Sequence, residues 1–186
     1  YINRLPHELS GGQRQRVAVA AALVLEPKVL LADEPVSMLD VSIRAEILNL
    51  LAELKQERGI SILFITHDLG TVAAVADRIA VMYLGRIVET GTVEQVLRDP
   101  KHPYTKALLS VVPVPNPRLR RQRIILQGET PDPTRLPPGC RFAPRCPLAQ
   151  DTCHDVDPQL RPLAADLASE SPGDQGVVHE AACILV

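Results

Sequence analysis

The residues best suited to chemistry are two adjacent carboxylates, Asp33 and Glu34, and a single histidine, His67. The carboxylates directly follow a short apolar run at 29–32, and His67 closely follows a second apolar run at 60–65. Each run is typical of a strand buried in a parallel sheet, and open α/β sheets bind ligands at the carboxyl ends of such strands. One carboxylate could hold Mg²⁺ while its neighbour polarises an attacking water, and the histidine could donate a hydrogen bond to a phosphate oxygen.

A second candidate site precedes an alanine-rich, helix-forming stretch at 14–25. A glycine pair at the start of a helix lets backbone N–H groups approach an anion closely, with the positive end of the helix dipole behind them. Phosphate is the ligand that this arrangement favours. The residues of this candidate site are Ser10, Gly11, Gly12 and Gln13.

Composition restricts the possible functions. With 186 residues, of which 46% are hydrophobic, the chain can bury a core of domain size. The net charge of -2 argues against a nucleic-acid partner, because such surfaces are strongly basic. No apolar run approaches the roughly 20 residues of a membrane-spanning helix, so any membrane role is expected to be peripheral. The chain begins at Tyr1 and its first motif follows within the next few residues, so we expect that the start of the protein is missing.

The pattern along the chain predicts an α/β fold over residues 1–112, with a mostly parallel sheet. A helix at 43–54 separates the two apolar runs, and two further strands flank Leu84 and Gly85 as a hairpin. Proline then becomes frequent from Pro100 onward. Because proline cannot continue a helix, we expect a linker at 113–117 and a separate extension over the remainder of 113–186.

Taken in order, these segments resemble the ATPase domain of ABC transporters. The matching motifs are the signature at 10–13, Walker B with its adjacent glutamate at 33–34, the D-loop at 37–40, and the switch histidine His67. The resemblance covers residues 5–112 and implies a P-loop NTPase fold. The family also has a glycine-rich phosphate loop with a lysine and an upstream glutamine loop, and neither occurs in this sequence. The chain is therefore expected to be a truncated ABC ATPase domain, inactive by itself.

The resemblance also implies roles for these residues. In this family two ATPase subunits, identical or related, close head to tail around two ATP molecules. Asp33 would hold Mg²⁺, Glu34 would be the general base, and His67 would contact the γ-phosphate. Asp40 would connect the two sites across the dimer. The contacts to ATP held by the partner would come from Ser10, Gly11, Gly12 and Gln13.

Further segments are similar to the dipeptide and oligopeptide permease ATPases. They are the stretches at 6–9, 91–92, 99–105, 138–142 and 145–147. This similarity implies peptide import at the cytoplasmic face of the membrane, with transmembrane permease subunits and an extracytoplasmic substrate-binding protein as partners and no nucleic acid. A nickel-importing branch shares much of the pattern, and a non-catalytic ABC-like interaction module is a further alternative. DNA-repair ATPases share two motifs but insert long coiled coils, which this chain lacks.

The four cysteines all lie in the last third of the chain, at Cys140, Cys146, Cys153 and Cys183. Their spacing lacks the close pair typical of structural zinc sites, whereas four thiolates could ligate a [4Fe-4S] cluster. Some members of the peptide permease group are thought to carry such a cluster here. Zinc with His154 or His179 in place of one cysteine, or metal-free thiols, are the alternatives. Disulfides are the least expected, because a subunit that uses cytosolic ATP lies in a reducing compartment.

Overall fold

The computed structural model describes residues 3–112, 122–129, 131–163 and 177–186, and the predicted linker at 113–117 lies outside these ranges. The chain divides into two compact units, Tyr1–Val75 and Ala76–Val186. The predicted boundary at 112/113 is a different division, and it stays a prediction about domain organisation. Within the described ranges, no helix is both long and apolar enough to cross a membrane.

The first unit has the predicted alternation of helices and strands, which confirms the α/β class. A short 3-10 helix at Pro6–Glu8 comes first. The elements that follow are α1 (Gly11–Leu23), β1 (Val29–Asp33), α2 (Val41–Arg58), β2 (Ser61–Ile65) and α3 (Leu69–Val75). The two strands pair in parallel, with Val29 opposite Ser61 and Asp33 opposite Ile65. Both strands therefore end at the same edge of the sheet, where the predicted catalytic residues follow.

Helix α2 and one face of the sheet form the core of this unit. Ile47 and Leu51 of α2 are almost fully buried and pack in one cluster with Leu30 of β1. Asp40 caps the amino end of the helix, and Gly59 ends it in the left-handed conformation at φ 62°. A glycine adopts this conformation without steric cost, so both ends of α2 are encoded locally.

The second unit contains an antiparallel sheet. Its elements are β3 (Arg78–Tyr83), β4 (Arg86–Thr92), α4 (Val93–Arg98), α5 (Pro103–Val111), a 3-10 helix at Ala143–Arg145, α6 (Thr152–Asp155), β5 (Arg161–Pro162) and β6 (Glu180–Ala181). The sheet order is β3-β4-β6-β5, and all its pairings are antiparallel. Leu84 and Gly85 both have positive φ and close the predicted hairpin. Among the described strands the expected parallel arrangement is therefore confined to β1 and β2, because the hairpin and the extension pair antiparallel.

Candidate functional site

A carboxylate at the end of β1, that of Glu34, contacts the histidine that follows β2, His67. Glu34 lies just beyond β1 and donates its backbone N–H to the Ile65 carbonyl at 2.9 Å. Its Oε1 atom accepts the backbone N–H of His67 at 3.1 Å and lies 2.7 Å from the His67 ring Nδ1. The two residues, 33 positions apart in sequence, thus form one contact at the sheet edge.

This edge of the sheet is open to a ligand. The His67 side chain is 79% exposed and that of Glu34 is 36% exposed. Asp33, the last residue of β1, is also exposed and precedes Glu34 directly. Two carboxylates and an imidazole therefore lie together where a phosphate-bearing ligand and its metal ion could bind. The ligand roles of these residues stay predictions.

The glycine pair opens α1 as the sequence predicts. Ser10 caps the helix: its Oγ accepts the Gln13 backbone N–H at 3.3 Å, while the Gln13 Oε1 accepts the Ser10 N–H at 3.0 Å. The polar atoms of this reciprocal pair are occupied by local bonds. The N–H groups of Gly11 and Gly12, the first two of the helix, lie outside the intrahelical hydrogen-bond ladder and could serve an anion.

Packing against α2 is a further reason why residue 12 is a glycine. Gly12 is buried, and a Cβ atom added to it would lie 2.4 Å from Cγ2 of Ile43 in α2. At Gly11 the corresponding approach is 3.3 Å, to Cδ2 of Leu39. The close approach of α1 to α2 therefore leaves no room for a side chain at Gly12 unless Ile43 shifts. Local sequence patterns could not predict this, because Ile43 is 31 positions away in the chain.

Asp40 acts within its own unit as the cap of α2. Its Oδ1 accepts the Ile43 backbone N–H at 3.0 Å and the Ser42 hydroxyl at 2.8 Å. The Ile43 bond, and then the Ser42 bond, lower the pKa of Asp40, so the carboxylate stays ionised. Its predicted contact across a dimer stays a prediction.

Sequence reasoning missed an ion pair beside the switch histidine. Arg44, in the first turn of α2, donates from Nη1 to Oδ2 of Asp68 at 3.1 Å, and Asp68 directly follows His67. Burial raises the pKa of Asp68, but the hydrogen bonds from Thr71 and Gly70 and the charge of Arg44 outweigh it and lower the pKa overall. An aspartate just before a helical stretch is a recognisable cap signal, so Asp68 could have been found. Arg44 carries no local signal.

In the second unit the four cysteines come together as predicted. Cys140, Cys146, Cys153 and Cys183 line one pocket, together with apolar side chains that include Phe142 and Ile184. Burial raises the pKa of Cys140, Cys146 and Cys183, so these thiols are protonated near neutral pH. In the part of the chain that the structure describes, no three Cys, His, Asp or Glu side chains are arranged to hold a metal ion. The structure supports a shared thiol pocket, and the iron–sulfur cluster is not established by it.

A buried carboxylate that the sequence analysis did not single out organises this unit. Glu89 of β4 is 0% exposed, and its carboxylate accepts the backbone N–H groups of Lys101 at 2.7 Å and His102 at 2.9 Å. The His179 Nε2 lies 2.8 Å from the same carboxylate. Glu89 thus connects β4, the segment before α5, and the segment before β6.

The His-Pro-Tyr sequence at 102–104 forms the start of α5, with His102 as the cap. Its Nδ1 accepts the Tyr104 backbone N–H at 3.1 Å, which caps α5, and Pro103 occupies the first helical position. The ring is 1% exposed. Burial lowers the pKa of His102 to about 4, although the Glu89 charge acts in the opposite direction. The ring is therefore neutral at physiological pH, as its acceptor role requires.

Two segments of the chain match known protein families. Residues 1–37 match the ABC transporter family, and residues 88–153 match the family described as "Oligopeptide/dipeptide transporter, C-terminal region". Both matches agree with the motifs at the sheet edge and with the His-Pro-Tyr segment. The chain is thus a relative of ABC transporter ATP-binding subunits.

More particularly, close curated homologues are dipeptide and oligopeptide transport ATP-binding proteins. The chain is 51% identical over 175 residues to the dipeptide transport ATP-binding protein DppF of Escherichia coli, covering 94% of this chain and 52% of that protein. It is 54% identical over 161 residues to the oligopeptide transport ATP-binding protein OppF of Salmonella typhimurium, covering 86% and 48%. The chain therefore spans about half the length of the curated relatives it matches. A solved ATP-binding cassette dimer bound to ADP and phosphate is 36% identical, with a TM-score of 0.45 over 49% of this chain and 39% of that one.

Proposed function

We propose that this protein is the ATP-hydrolysing subunit of an ABC transporter that imports dipeptides or oligopeptides. The observation that carries the proposal is the contact between Glu34 and His67 at the carboxyl ends of two parallel strands. The names of the relatives support peptides as the substrate class, and they do not favour nickel. The proposed location is the cytoplasmic face of the membrane, where ATP is available.

The proposed roles follow from the placement of each group. Glu34 is the general base that polarises the attacking water, and His67, held by Glu34, contacts the γ-phosphate. Asp33 fits Mg²⁺ by its chemistry, since an exposed carboxylate oxygen is a ligand that this ion prefers. When bound, Mg²⁺ would neutralise phosphate charge. Hydrolysis of this kind depends mainly on positioning and charge neutralisation, so small displacements at this edge should slow it strongly.

The proposed partners are a second ATPase subunit, the transmembrane permease subunits and an extracytoplasmic substrate-binding protein. Ser10 and Gly11 are exposed at the start of α1, as a contact with a neighbouring subunit's nucleotide requires. Met38 is 97% exposed and Val41 is 82% exposed, on either side of Asp40. Apolar side chains this exposed beside a candidate site support contact with another polypeptide.

A chimaera tests the proposal directly. This chain would replace the matched half of the E. coli dipeptide relative, expressed with that transporter's other subunits. We expect ATP hydrolysis together with uptake of a labelled dipeptide, and no uptake of nickel. A folded chimaera that assembles but hydrolyses no ATP would support the non-catalytic alternative instead. Nickel uptake without dipeptide uptake would overturn the peptide assignment.

We further propose that the four cysteines hold a [4Fe-4S] cluster. The shared thiol pocket carries this proposal, because such a cluster takes four cysteine ligands. Each thiolate would bind a different iron, so the four sulfurs need not converge on one point as they would around zinc. When bound, the cluster would supply a redox-active centre. Its function in this unit would be to cross-link the segments that carry the cysteines.

Iron and acid-labile sulfide content of anaerobically purified protein test the cluster, together with its visible absorption. Cys146→Ser should lower both contents. Ser110→Ala serves as a control that removes a hydroxyl outside the pocket. Stoichiometric zinc without sulfide, or four thiols that all react with a thiol reagent in protein free of metal, would exclude the cluster.

A further inference from the structure

The first turn of α2 adjoins three of the candidate motifs: the D-loop, the signature and the segment that carries the switch histidine. Its cap is Asp40, and Ile43 packs against Gly12 at the start of α1. Arg44 reaches in another direction and bonds Asp68, the residue after His67. Motifs that are separate in the sequence therefore meet on one helical turn.

Asp68 is held tightly, and its neighbour is His67. One oxygen of Asp68 accepts the Gly70 N–H at 3.0 Å, and the other accepts the Thr71 hydroxyl at 2.8 Å. The Asp68 N–H itself donates to the Thr66 hydroxyl at 3.1 Å. His67 thus lies between two fixed points, the Glu34 carboxylate on one side and the Arg44–Asp68 pair on the other.

The Arg44–Asp68 ion pair is not explained by a contribution to the stability of the fold. Its side chain is 32% exposed and that of Asp68 is 40% exposed, and ion pairs this exposed contribute little to folding. The Nε atom of Arg44 is buried and has no hydrogen-bond partner among the described residues, which is unfavourable. The pair therefore contributes little or nothing to the free energy of folding. What the pair does provide is a fixed link between the first turn of α2 and the residue after His67.

We propose that Arg44 is a positioning residue for the reaction: through Asp68 it sets the place of the His67 backbone, and so the contact between His67 and Glu34. This assignment rests on the proposed function. Arg44 touches neither the nucleotide nor the attacking water in this proposal. It acts by tying the segment after β2 to the helix that begins at the D-loop.

The test uses the same chimaera and separates kcat from KM. Arg44→Ala should lower kcat for ATP hydrolysis by about tenfold to a hundredfold, because misplacing a reacting group is costly, and should change KM by less than about twofold. Arg44→Lys should recover part of the loss, since it keeps the charge. Asp68→Asn should also lower kcat, and the double variant should be no worse than the more severe single one. Arg58→Ala, an exposed arginine at the other end of α2, is the matched control and should leave kcat unchanged.

Several outcomes would overturn the assignment. They are an Arg44→Ala kcat within twofold of the parent, a loss confined to KM, or a fall in the thermal midpoint large enough to explain the lost activity as unfolded protein. Losses from Arg44→Ala and Asp68→Asn that simply add would also contradict it, because the two residues would then act independently. An inactive parent chimaera would overturn the proposed function itself, and this assignment with it.

Discussion

The Glu34 carboxylate and the His67 imidazole are in direct contact, with 2.7 Å between Oε1 and Nδ1. The same oxygen accepts the His67 backbone N–H, so one carboxylate orients both the main chain and the ring of the histidine. Glu34 adopts a positive φ of 46°, a left-handed conformation that costs about 1 kcal/mol for a residue with a side chain. This conformation occurs where the chain leaves β1, and it turns the carboxylate toward the end of β2.

Replacing Glu34 by glutamine should abolish turnover and preserve the fold. The glutamine carbonyl can still accept the bonds from His67, but it cannot take a proton from water, so ATP hydrolysis should fall by about a hundredfold or more. Without hydrolysis, the closed dimer with bound ATP should accumulate. The measurements are ATPase activity and size-exclusion chromatography of the chimaera with ATP.

The control for this substitution is Glu57→Gln, which changes an exposed glutamate near the end of α2. It should leave hydrolysis and assembly unchanged. Undiminished hydrolysis by Glu34→Gln would remove Glu34 from the role of general base.

Adding one methyl group at Gly12 should disturb the packing of α1 on α2. The new Cβ would lie 2.4 Å from Cγ2 of Ile43, and overpacking of this kind costs about 1 to 3 kcal/mol. Urea unfolding of Gly12→Ala measures the loss. Gly11→Ala meets only the end of the Leu39 side chain and should cost less.

A second substitution decides whether the clash is the cause. Ile43→Ala removes the atom that Gly12→Ala would meet, so the double variant should be more stable than the sum of the two single effects implies. Strict additivity would show that the close approach to Ile43 is not what requires glycine at this position.

Removal of the Glu89 charge should destabilise the second unit strongly. The carboxylate is fully buried and accepts hydrogen bonds from Lys101, His102 and His179, so Glu89→Gln leaves buried donors poorly paired. We expect a loss of about 3 kcal/mol in the free energy of unfolding, measured with urea.

The matched control is Glu94→Gln in the neighbouring helix α4. Glu94 forms a pair with Arg98, and its side chain is 72% exposed. This substitution should change stability by less than about 0.5 kcal/mol. Equal effects of the two substitutions would contradict the structural role of Glu89.

The second unit should lose stability in mild acid because of His102. The folded-state pKa of about 4 is below the ordinary value of 6.5, so the unfolded chain binds the proton more readily than the folded one. The stability that His102 contributes is present above its ordinary pKa and is lost as the pH falls toward 4. From roughly pH 7 to pH 5 the expected loss is about 2 kcal/mol.

Asparagine at this position separates titration from capping. Its side-chain oxygen can replace Nδ1 as acceptor for the Tyr104 N–H, but it does not titrate. Unfolding of His102→Asn should therefore depend less steeply on pH between 7 and 5 than that of the parent. Parallel pH dependences in the two proteins would show that His102 titrates normally.

Much of the fold could be predicted from residues that are close together in the sequence. The order of strands and helices, the hairpin at Leu84 and Gly85 and the site residues at the ends of β1 and β2 were predictable, because periodicity, caps and turn residues act over a few positions. The gathering of four cysteines in one pocket was also expected. The antiparallel sheet of the second unit was not, since β6 joins β4 from a distant part of the chain.

The residue types at the ends of the strands and helices, and hence the kind of chemistry they suit, can be read from the amino-acid sequence alone. Which of them touch depends on the folded chain: Glu34 contacts His67, Gly12 contacts Ile43, and Glu89 contacts His179. The reason is physical. Propensities and caps depend on near neighbours along the chain, whereas a buried carboxylate or a close helix approach depends on groups that folding brings from far along it.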